Sequence, residues 1–230
     1  MKNYKFFNTL TKFEFCLWIL SIAVVTISFV FVGKGSILTL CASLIGVTAL
    51  IFVAKGHVFG QVLTVLFSLF YALISYQFQY YGEMITYLGM TTPIAIMSVV
   101  SWLKHPYKGE KAEVEIAHLS KKNIMVMIML TIVVTFCFYF ILAYFDTANL
   151  TISTISIATS FLASYLMLFR SSAYAMAYGA NDIVLIILWI LATIENVSFF
   201  PMVICFIMFL CNDIYGFYNW TKMKHKQSKN

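Results

Sequence analysis

Long apolar runs separated by short polar segments are the feature that most constrains this chain. A helix needs about 20 apolar residues to cross the hydrocarbon core of a bilayer, whereas a strand of a membrane barrel needs only about 10 residues of alternating polarity. The runs are too long for such strands and therefore predict membrane-spanning helices. We place eight of them, at residues 13–32, 36–53, 58–77, 82–103, 123–145, 150–169, 173–194 and 199–220.

The composition agrees with an all-α polytopic membrane protein. Hydrophobic residues make up 62% of the chain and charged residues 10%, whereas a soluble domain is about half apolar and about a quarter charged. Eight spans leave no room for a soluble catalytic domain in 230 residues. The first run is too long for the apolar part of a typical signal peptide and lacks a small-x-small cleavage site, so we interpret it as a span.

The basic residues predict the orientation of these spans. In short loops, Lys and Arg favour the cytoplasmic side of a membrane. With the N-terminus inside, every Lys and Arg except Lys34 falls on that side, and Lys34 lies opposite with Glu83, Asp146 and Glu195. One span more or fewer would destroy this segregation. The sequence thus predicts cytoplasmic termini, and the net charge of +6 needs no nucleic-acid partner to explain it.

An internal repeat is predicted from two segments of similar pattern, "LTLCASLIGVTALIFVAKGHVFGQVL" from Leu38 and "TISIATSFLASYLMLFRSSAYAMAYG" from Thr154. Each begins a set of three spans that ends in Trp, and the single fifth span makes the two sets parallel. Chance similarity of hydropathy is the alternative explanation. The predicted domains are 1–34 (N-terminal segment and extra span), 35–103 (first repeat), 104–122 (cytoplasmic loop), 123–149 (linker span), 150–222 (second repeat) and 223–230 (basic tail).

Two Asn-Asp pairs interrupt the last two spans, Asn181-Asp182 and Asn212-Asp213. A carboxylate at membrane depth costs at least ~2.5 kcal/mol, so its presence indicates function. At helical rise, Asp182 lies about 13 Å and Asp213 about 10 Å from the cytoplasmic ends of their spans. Two antiparallel helices thus bring acids to one depth. In transporters built from repeats, substrate sites lie near the midplane where the repeats meet.

The helical period extends this site to neighbouring polar and aromatic residues. Trp189 lies about two turns after Asp182, and Tyr178 about one turn before it, on the same helix face. The first repeat is expected to supply uncharged groups, because it holds no acid at membrane depth. The predicted substrate site comprises Asn181, Asp182, Trp189, Asn212, Asp213, Tyr215, Tyr178 and Tyr174 from the second repeat, and Gln61, Ser68 and Tyr71 from the first.

Other interpretations stay open for single residues. Asn212 could join two helices by hydrogen bonds, and the two acids could form ion pairs with Arg170 or Lys222 as structural locks. Trp102 and Trp220 stand at span ends, where aromatic residues form interfacial belts. Glu14 is expected to be solvated, and Pro93 to kink the fourth span. The scattered Cys and His residues predict no metal site, and no cofactor is expected.

Four segments carry a resemblance to a known family: "ISYQFQYYGEMITYLGM", "SVVSWLKHPYKG", "AYGANDIVLIILWILA" and "PMVICFIMFLCNDIYGFYNW". They resemble segments of the PnuC family of vitamin transporters in Gram-positive bacteria, and the helix plan is similar to that of the SWEET sugar facilitators. The resemblance implies a protein of the bacterial plasma membrane that takes up nicotinamide riboside, an NAD precursor, by facilitated diffusion and alternating access. It also implies a homo-oligomer, with a trimer as the expected form.

The predicted lining suits such a substrate. Rings, amides and carboxylates fit a flat, polar heteroaromatic molecule with a ribose, and a cationic nicotinamide ring is attracted to Trp189 and to the acids. Relatives that carry thiamine, riboflavin or deoxynucleosides keep the substrate open within this class. An intramembrane enzyme with paired acids is an alternative of another class, and a signalling or assembly subunit is a third. We expect no enzyme, since no Asp-x-x-x-Asp motif and no phosphate-binding loop appear.

Overall fold

The structure, a computed structural model, describes residues 10–32, 36–77, 80–109 and 113–229. Within these ranges eight helices are long and apolar enough to cross a membrane, which confirms the predicted spans. They are α1 (Lys12–Val32), α2 (Ile37–Ala54), α3 (Val58–Gln77), α4 (Tyr81–Lys104), α5 (Lys121–Tyr144), α6 (Leu150–Leu168), α7 (Tyr174–Glu195) and α8 (Phe200–Ser228). Helix α8 continues well beyond the predicted end of the last span at residue 220.

Part of the charge prediction lies outside the described residues. Lys34, the basic residue expected on the side opposite the termini, is not among them, and neither are Lys2, Lys5 and Lys111. The described acids at that side take two different positions. Asp146 and Glu195 are exposed, whereas Glu83 is buried in the first turn of α4. Glu83 therefore lies within the bundle and not, like the other two acids, at its surface.

Local sequence explains where several helices begin and why α4 is irregular. Ser36 and Ser120 cap α2 and α5 by accepting hydrogen bonds from backbone N–H groups of the first turn. Pro201 lies in the first turn of α8, where its missing N–H is not needed. Pro93 lies inside α4, and the preceding residues Tyr87–Thr91 form a π-helical turn. Such a wide turn accommodates the backbone hydrogen bond that proline cannot donate.

The helices form two sets of three with two peripheral helices. In the first set α3 packs against α2 and α4, and in the second α7 packs against α6 and α8. The sets meet where α2 packs on α8 and where α4 packs on α6. Helix α1 packs on the outer side of α2 and α8, and α5 packs mainly on α6. The space between the two sets is therefore bounded by six helices.

Two Trp residues join the sets at the end of the bundle where the described chain begins and ends, here called the terminal end. The indole of Trp102 donates to the carbonyl of Met167 (3.2 Å), and that of Trp220 donates to the carbonyl of Val53 (2.9 Å). Both carbonyls belong to last helical turns, which lack intrahelical partners. The rings pack 5.4 Å apart and are buried, so the expected place in an interfacial belt was wrong.

The residues before these Trp residues make the same kind of bond. Ser101 donates to the carbonyl of Leu168 (3.1 Å), and Asn219 donates to the carbonyl of Ala54 (2.8 Å). Each polar-Trp pair of one set thus binds two successive carbonyls at the end of the first helix of the other set. We call these four bonds the tryptophan clasp. At the opposite end, here called the distal end, described aromatic side chains fill the space instead.

Candidate functional site

A cavity lies between the two sets of helices and extends from mid-bundle toward the terminal end. The space between its walls, including the part open to solvent, totals about 740 Å³. Pockets that bind small ligands place a few polar groups in largely apolar walls. This cavity has that character. Its polar lining consists of Gln61, Thr64, Tyr87, Thr91, Ser98, Ser164, Tyr178, Asn181, Asp182 and Asp213.

The two acids of the Asn-Asp pairs meet in this cavity. Asp182 and Asp213 are each 3% exposed, and both line the cavity, on the adjacent helices α7 and α8. Helices α7 and α8 run antiparallel. Asp182, counted forward from the start of α7, and Asp213, counted back from the predicted end of the last span, therefore lie at the same depth. The sequence predicted this meeting from the rise of the helix alone.

The interpretation of the acids as structural locks does not agree with the contacts. Across the described ranges neither acid forms an ion pair. Arg170 instead donates to the hydroxyl of Ser101 and to the carbonyl of Glu115 at the terminal end. The Oδ2 atom of Asp182 is buried and receives no hydrogen bond from an N–H or hydroxyl group of the described chain. It is therefore available to a ligand hydroxyl or amide.

Helix α6 fixes the orientation of the polar residues of α7. The hydroxyl groups of Thr159 and Ser160 both donate to Oδ1 of Asn181, at 2.8 and 2.9 Å. The side-chain NH₂ group is then the part of Asn181 that is left for the cavity. The hydroxyls of Tyr178 and Ser164 bond to each other at 3.1 Å, and both residues line the cavity. Thr159 and Ser160 carried no sequence signal of their own.

Gln61 supplies the complementary group from the first set of helices. It lies on α3, is 1% exposed and lines the cavity. Its Nε2 atom is buried and has no hydrogen-bond partner among the described residues. An unsatisfied buried donor costs about 1–3 kcal/mol. The cavity therefore presents one unsatisfied donor, from Gln61, and one unsatisfied acceptor, from Asp182, on walls that belong to different sets.

Aromatic side chains close the cavity toward the distal end. Trp189 donates to the hydroxyl of Tyr71 (3.1 Å), and the ring of Tyr71 lies 4.2 Å from that of Tyr87 at an angle of 36°. We call these three residues the aromatic layer. Tyr87 is the member that lines the cavity, whereas Tyr71 and Trp189 lie behind it. The sequence proposed Tyr71 and Trp189 for the lining and missed Tyr87.

The other proposed residues lie outside the lining because each has a structural partner. Ser68 bonds to Thr92 at 2.8 Å, and Tyr174 packs against the ring of Trp220 at 4.5 Å. Asn212 donates to the hydroxyl of Ser21 on α1 (3.1 Å) and to a carbonyl of its own helix. Asn212 therefore joins two helices by a hydrogen bond, which is the alternative that the sequence left open for this residue.

Tyr215 belongs to a polar network at the terminal end. Its hydroxyl donates to Glu14 (2.8 Å), and Lys55 forms an ion pair with the same carboxylate (2.9 Å). Glu14 is buried, so the expectation that it is solvated was wrong. The network ties α1 to the α2–α3 turn and to α8, which explains why a Tyr close to the Asn-Asp pair faces away from the cavity.

Comparison with known proteins finds similar membrane transporters. The family described as Nicotinamide mononucleotide transporter matches residues 36–222. The nicotinamide riboside transporter PnuC of Neisseria mucosa is 28% identical over 226 residues, which cover 96% of this chain and 86% of the relative. The protein of the same name from Haemophilus influenzae is 24% identical over 187 residues, 81% of this chain and 80% of the relative.

A solved structure extends the likeness to three dimensions. The crystal structure of the vitamin B3 transporter PnuC has a TM-score of 0.81 and 27% sequence identity to this chain, and the match covers 95% of this chain and 94% of that one. The family match includes all of α2 to α7 and both Asn-Asp pairs. The chain therefore belongs to the PnuC family of membrane transporters, as the resemblance of its four segments predicted.

Proposed function

We propose that this chain takes up nicotinamide riboside across the bacterial plasma membrane, by alternating access around the cavity between its two sets of helices. One observation carries the proposal. A buried cavity joins the Asp182–Asp213 pair to an unsatisfied amide donor on Gln61 and to the ring of Tyr87. Two relatives bear the name nicotinamide riboside transporter, and their similarity covers 96% and 81% of this chain.

The groups in the cavity complement the groups of the riboside. A carboxylate accepts hydrogen bonds from ribose hydroxyls and attracts the positive charge of the pyridinium ring. The face of an aromatic side chain attracts a cation as well, and Tyr87 offers one next to the acids. The Nε2 atom of Gln61 is a donor for the carbonyl of the carboxamide. Each polar group that the cavity leaves unsatisfied thus has a matching group on this substrate.

The charge of the cavity favours the riboside over the mononucleotide. No basic side chain is found among the described residues that line it, so a phosphate would have no counter-ion. Two like unit charges about 6 Å apart repel by about 3 kcal/mol at an effective dielectric constant of about 20. The phosphate of the mononucleotide would meet this repulsion from the acid pair. We expect the mononucleotide to bind about 10–100-fold more weakly than the riboside.

Two structures at opposite ends of the cavity support alternating access. The tryptophan clasp joins the sets at the terminal end, and the aromatic layer closes the distal end. The reciprocal contacts of α2 with α8 and of α4 with α6 support a parallel repeat of residues 35–103 and 150–222. A rocking motion of one set against the other opens the ends alternately, while the cavity stays between them.

The remaining features of the proposal concern the membrane and the assembly. We place both termini in the cytoplasm on the distribution of Lys and Arg, so the distal end faces outward. Helix α5 supports a homo-oligomer, since it exposes large apolar side chains such as Phe136 and Phe140 over much of its surface. Lipid covers the parts of this surface that a second copy does not. The trimer expected from the resemblance is tested by chemical cross-linking in native membranes.

Binding to the purified protein tests the substrate. Calorimetry against nicotinamide riboside, nicotinamide mononucleotide, thiamine, riboflavin and a deoxynucleoside is expected to give the highest affinity for the riboside. Tighter binding of the mononucleotide, or of another vitamin, would contradict the proposal. Radiolabelled riboside given to proteoliposomes distinguishes a carrier from an intramembrane enzyme. A carrier delivers unchanged riboside to the interior, whereas an enzyme leaves a labelled product.

A further inference from the structure

A third buried acid lies at the distal end, outside the cavity. Glu83, in the first turn of α4, is 3% exposed. It lines a separate small pocket together with Tyr80, Trp189, Leu188, Ala192 and Asn149. Asn149 is exposed and marks the side of the pocket nearest to the surface. The empty volume of the pocket is about 240 Å³, about one third of that of the cavity.

Close packing of Gly82 explains why Glu83 is buried. A Cβ atom at Gly82 would collide with the side chains of Leu142 and Thr147, at the end of α5 and after it. Only a residue without a side chain lets the start of α4 come this near. Glu83 then lies inside the bundle, close to Ser156 of α6. The burial therefore follows from the backbone arrangement and does not depend on a charged partner.

No cation neutralises this acid in the part of the chain that the structure describes, where the ion pairs are Lys55–Glu14 and Lys226–Glu113. A buried acid without a cationic partner is costly, and within a membrane protein it marks a functional site. Two aromatic side chains stand beside it. Burial, and to a smaller extent Glu195, raises the pKa of Tyr80 above its ordinary value, so its phenol stays neutral. The rings of Tyr80 and Trp189 lie 5.6 Å apart at 66°.

The pocket is next to the cavity, with the aromatic layer between them. Trp189 belongs to both, because its side chain lines the pocket and its indole N–H binds Tyr71 of the layer. Tyr71 in turn packs on Tyr87, which faces the acids of the cavity. A molecule that moves inward from the distal end thus meets Glu83 first and the Asp182–Asp213 pair second.

We propose that Glu83, Tyr80 and Trp189 form an outer subsite for a flat aromatic cation, here the pyridinium ring of the substrate on its way to the cavity. This inference rests on the proposed function. A carboxylate with aromatic faces beside it is the arrangement that binds organic cations. The rings of Tyr80 and Trp189 pack against each other beside the pocket, so binding requires them to separate. That separation also begins to open the aromatic layer.

The test compares two substrates that differ in charge. Nicotinamide riboside is a cation, and its reduced dihydropyridine form has nearly the same shape but is neutral. We expect Glu83→Gln, which keeps the size and shape of the side chain, to lower initial uptake of the cation by proteoliposomes about 10-fold and to change uptake of the neutral form less than 2-fold, as expected for losing an attraction of about 1.4 kcal/mol. Asp146→Asn, at an exposed acid of the same end with a left-handed backbone that Asn tolerates, is the matched control and is expected to change neither.

Three results overturn the inference. If Glu83→Gln lowers uptake of both forms equally, Glu83 has a structural role. If it changes neither, there is no subsite. If the wild-type protein carries neither form, the proposed function fails and the subsite fails with it. Should Glu83→Gln not fold, Tyr80→Leu decides, since it removes one aromatic wall. A selective loss of uptake of the cation supports the subsite, and an equal or absent effect overturns it.

Discussion

The two Asn-Asp pairs have the same sequence and different surroundings. On α7, both Asn181 and Asp182 line the cavity. On α8, Asp213 lines it, whereas Asn212 points to Ser21 of α1. Successive residues of a helix point about 100° apart, so the neighbours of the helix decide which of the two faces the cavity. The extra helix α1 binds one member of the second pair. The same two residue types thus place two polar side chains in the cavity wall from α7 and one from α8.

We expect the largest effect from the two acids, because the Asp residue of each pair lines the cavity. Asp182→Asn removes the charge and a buried acceptor that no described N–H or hydroxyl satisfies. A hydrogen bond to a charged group contributes about 1.5–3 kcal/mol, so riboside uptake is expected to fall about 10–100-fold. Asp213→Asn is expected to have a smaller effect, since the unsatisfied oxygen of Asp182 remains in the cavity.

Initial rates in proteoliposomes measure both variants. Asp146→Asn is the matched control, because Asp146 is an exposed acid outside the helices with a left-handed backbone that Asn tolerates. Uptake that persists unchanged in the double variant with Asn at 182 and 213 would refute an acid-lined site. A larger loss of uptake for Asp213→Asn than for Asp182→Asn would show instead that the pair on α8 contributes more to uptake than the pair on α7.

Gln61→Leu tests whether the first set of helices takes part in binding. The Nε2 donor is unsatisfied in the structure, so its removal is expected to leave thermal stability unchanged or raised. Loss of one neutral hydrogen bond to the substrate is expected to lower affinity about 5–10-fold, since such a bond contributes about 1 kcal/mol. Gln77→Leu, at an exposed amide of the same helix, is the control. A fall in stability without a change in affinity would give Gln61 a structural role.

Some features of this molecule were predictable from its sequence and others were not, depending on the physical property that determines each feature. The spans were predictable, because length and apolarity of a run decide whether it crosses a bilayer. The common depth of Asp182 and Asp213 was predictable from helical rise. The burial of Glu83 was not, since it depends on the contact of Gly82 with α5 and the residues after it. The direction of Asn212 was not either, because the helical period does not identify which helix lies against each face.

Substitutions of the two Asn residues distinguish an effect on substrate affinity from an effect on protein stability. Asn181→Leu is expected to weaken riboside binding a few-fold, because it removes a cavity donor held by Thr159 and Ser160. Asn212→Leu is expected to leave affinity unchanged and to lower the melting temperature, because the bond from α8 to Ser21 of α1 is lost. Interhelical hydrogen bonds in membranes contribute about 0.6 kcal/mol on average. Calorimetry and thermal unfolding of each variant check both quantities, and equal changes in affinity would remove the distinction between the pairs.

The tryptophan clasp is a second pair of similar dipeptides, and here the surroundings match. Ser101-Trp102 and Asn219-Trp220 each bind two successive carbonyls of the other set. Trp102→Phe and Trp220→Phe keep an aromatic ring and remove one indole N–H each. We therefore expect equal and small losses of stability, near the ~0.6 kcal/mol of a single interhelical bond.

Because every bond of the clasp links the two sets, weakening the clasp favours opening at the terminal end. The rate at which a thiol reagent modifies a Cys placed at Ser98, in the cavity wall, measures that opening. Rates that rise to the same extent in both variants support a symmetric closure, whereas a rise in one variant alone would show that the two halves of the clasp differ as the Asn-Asp pairs do.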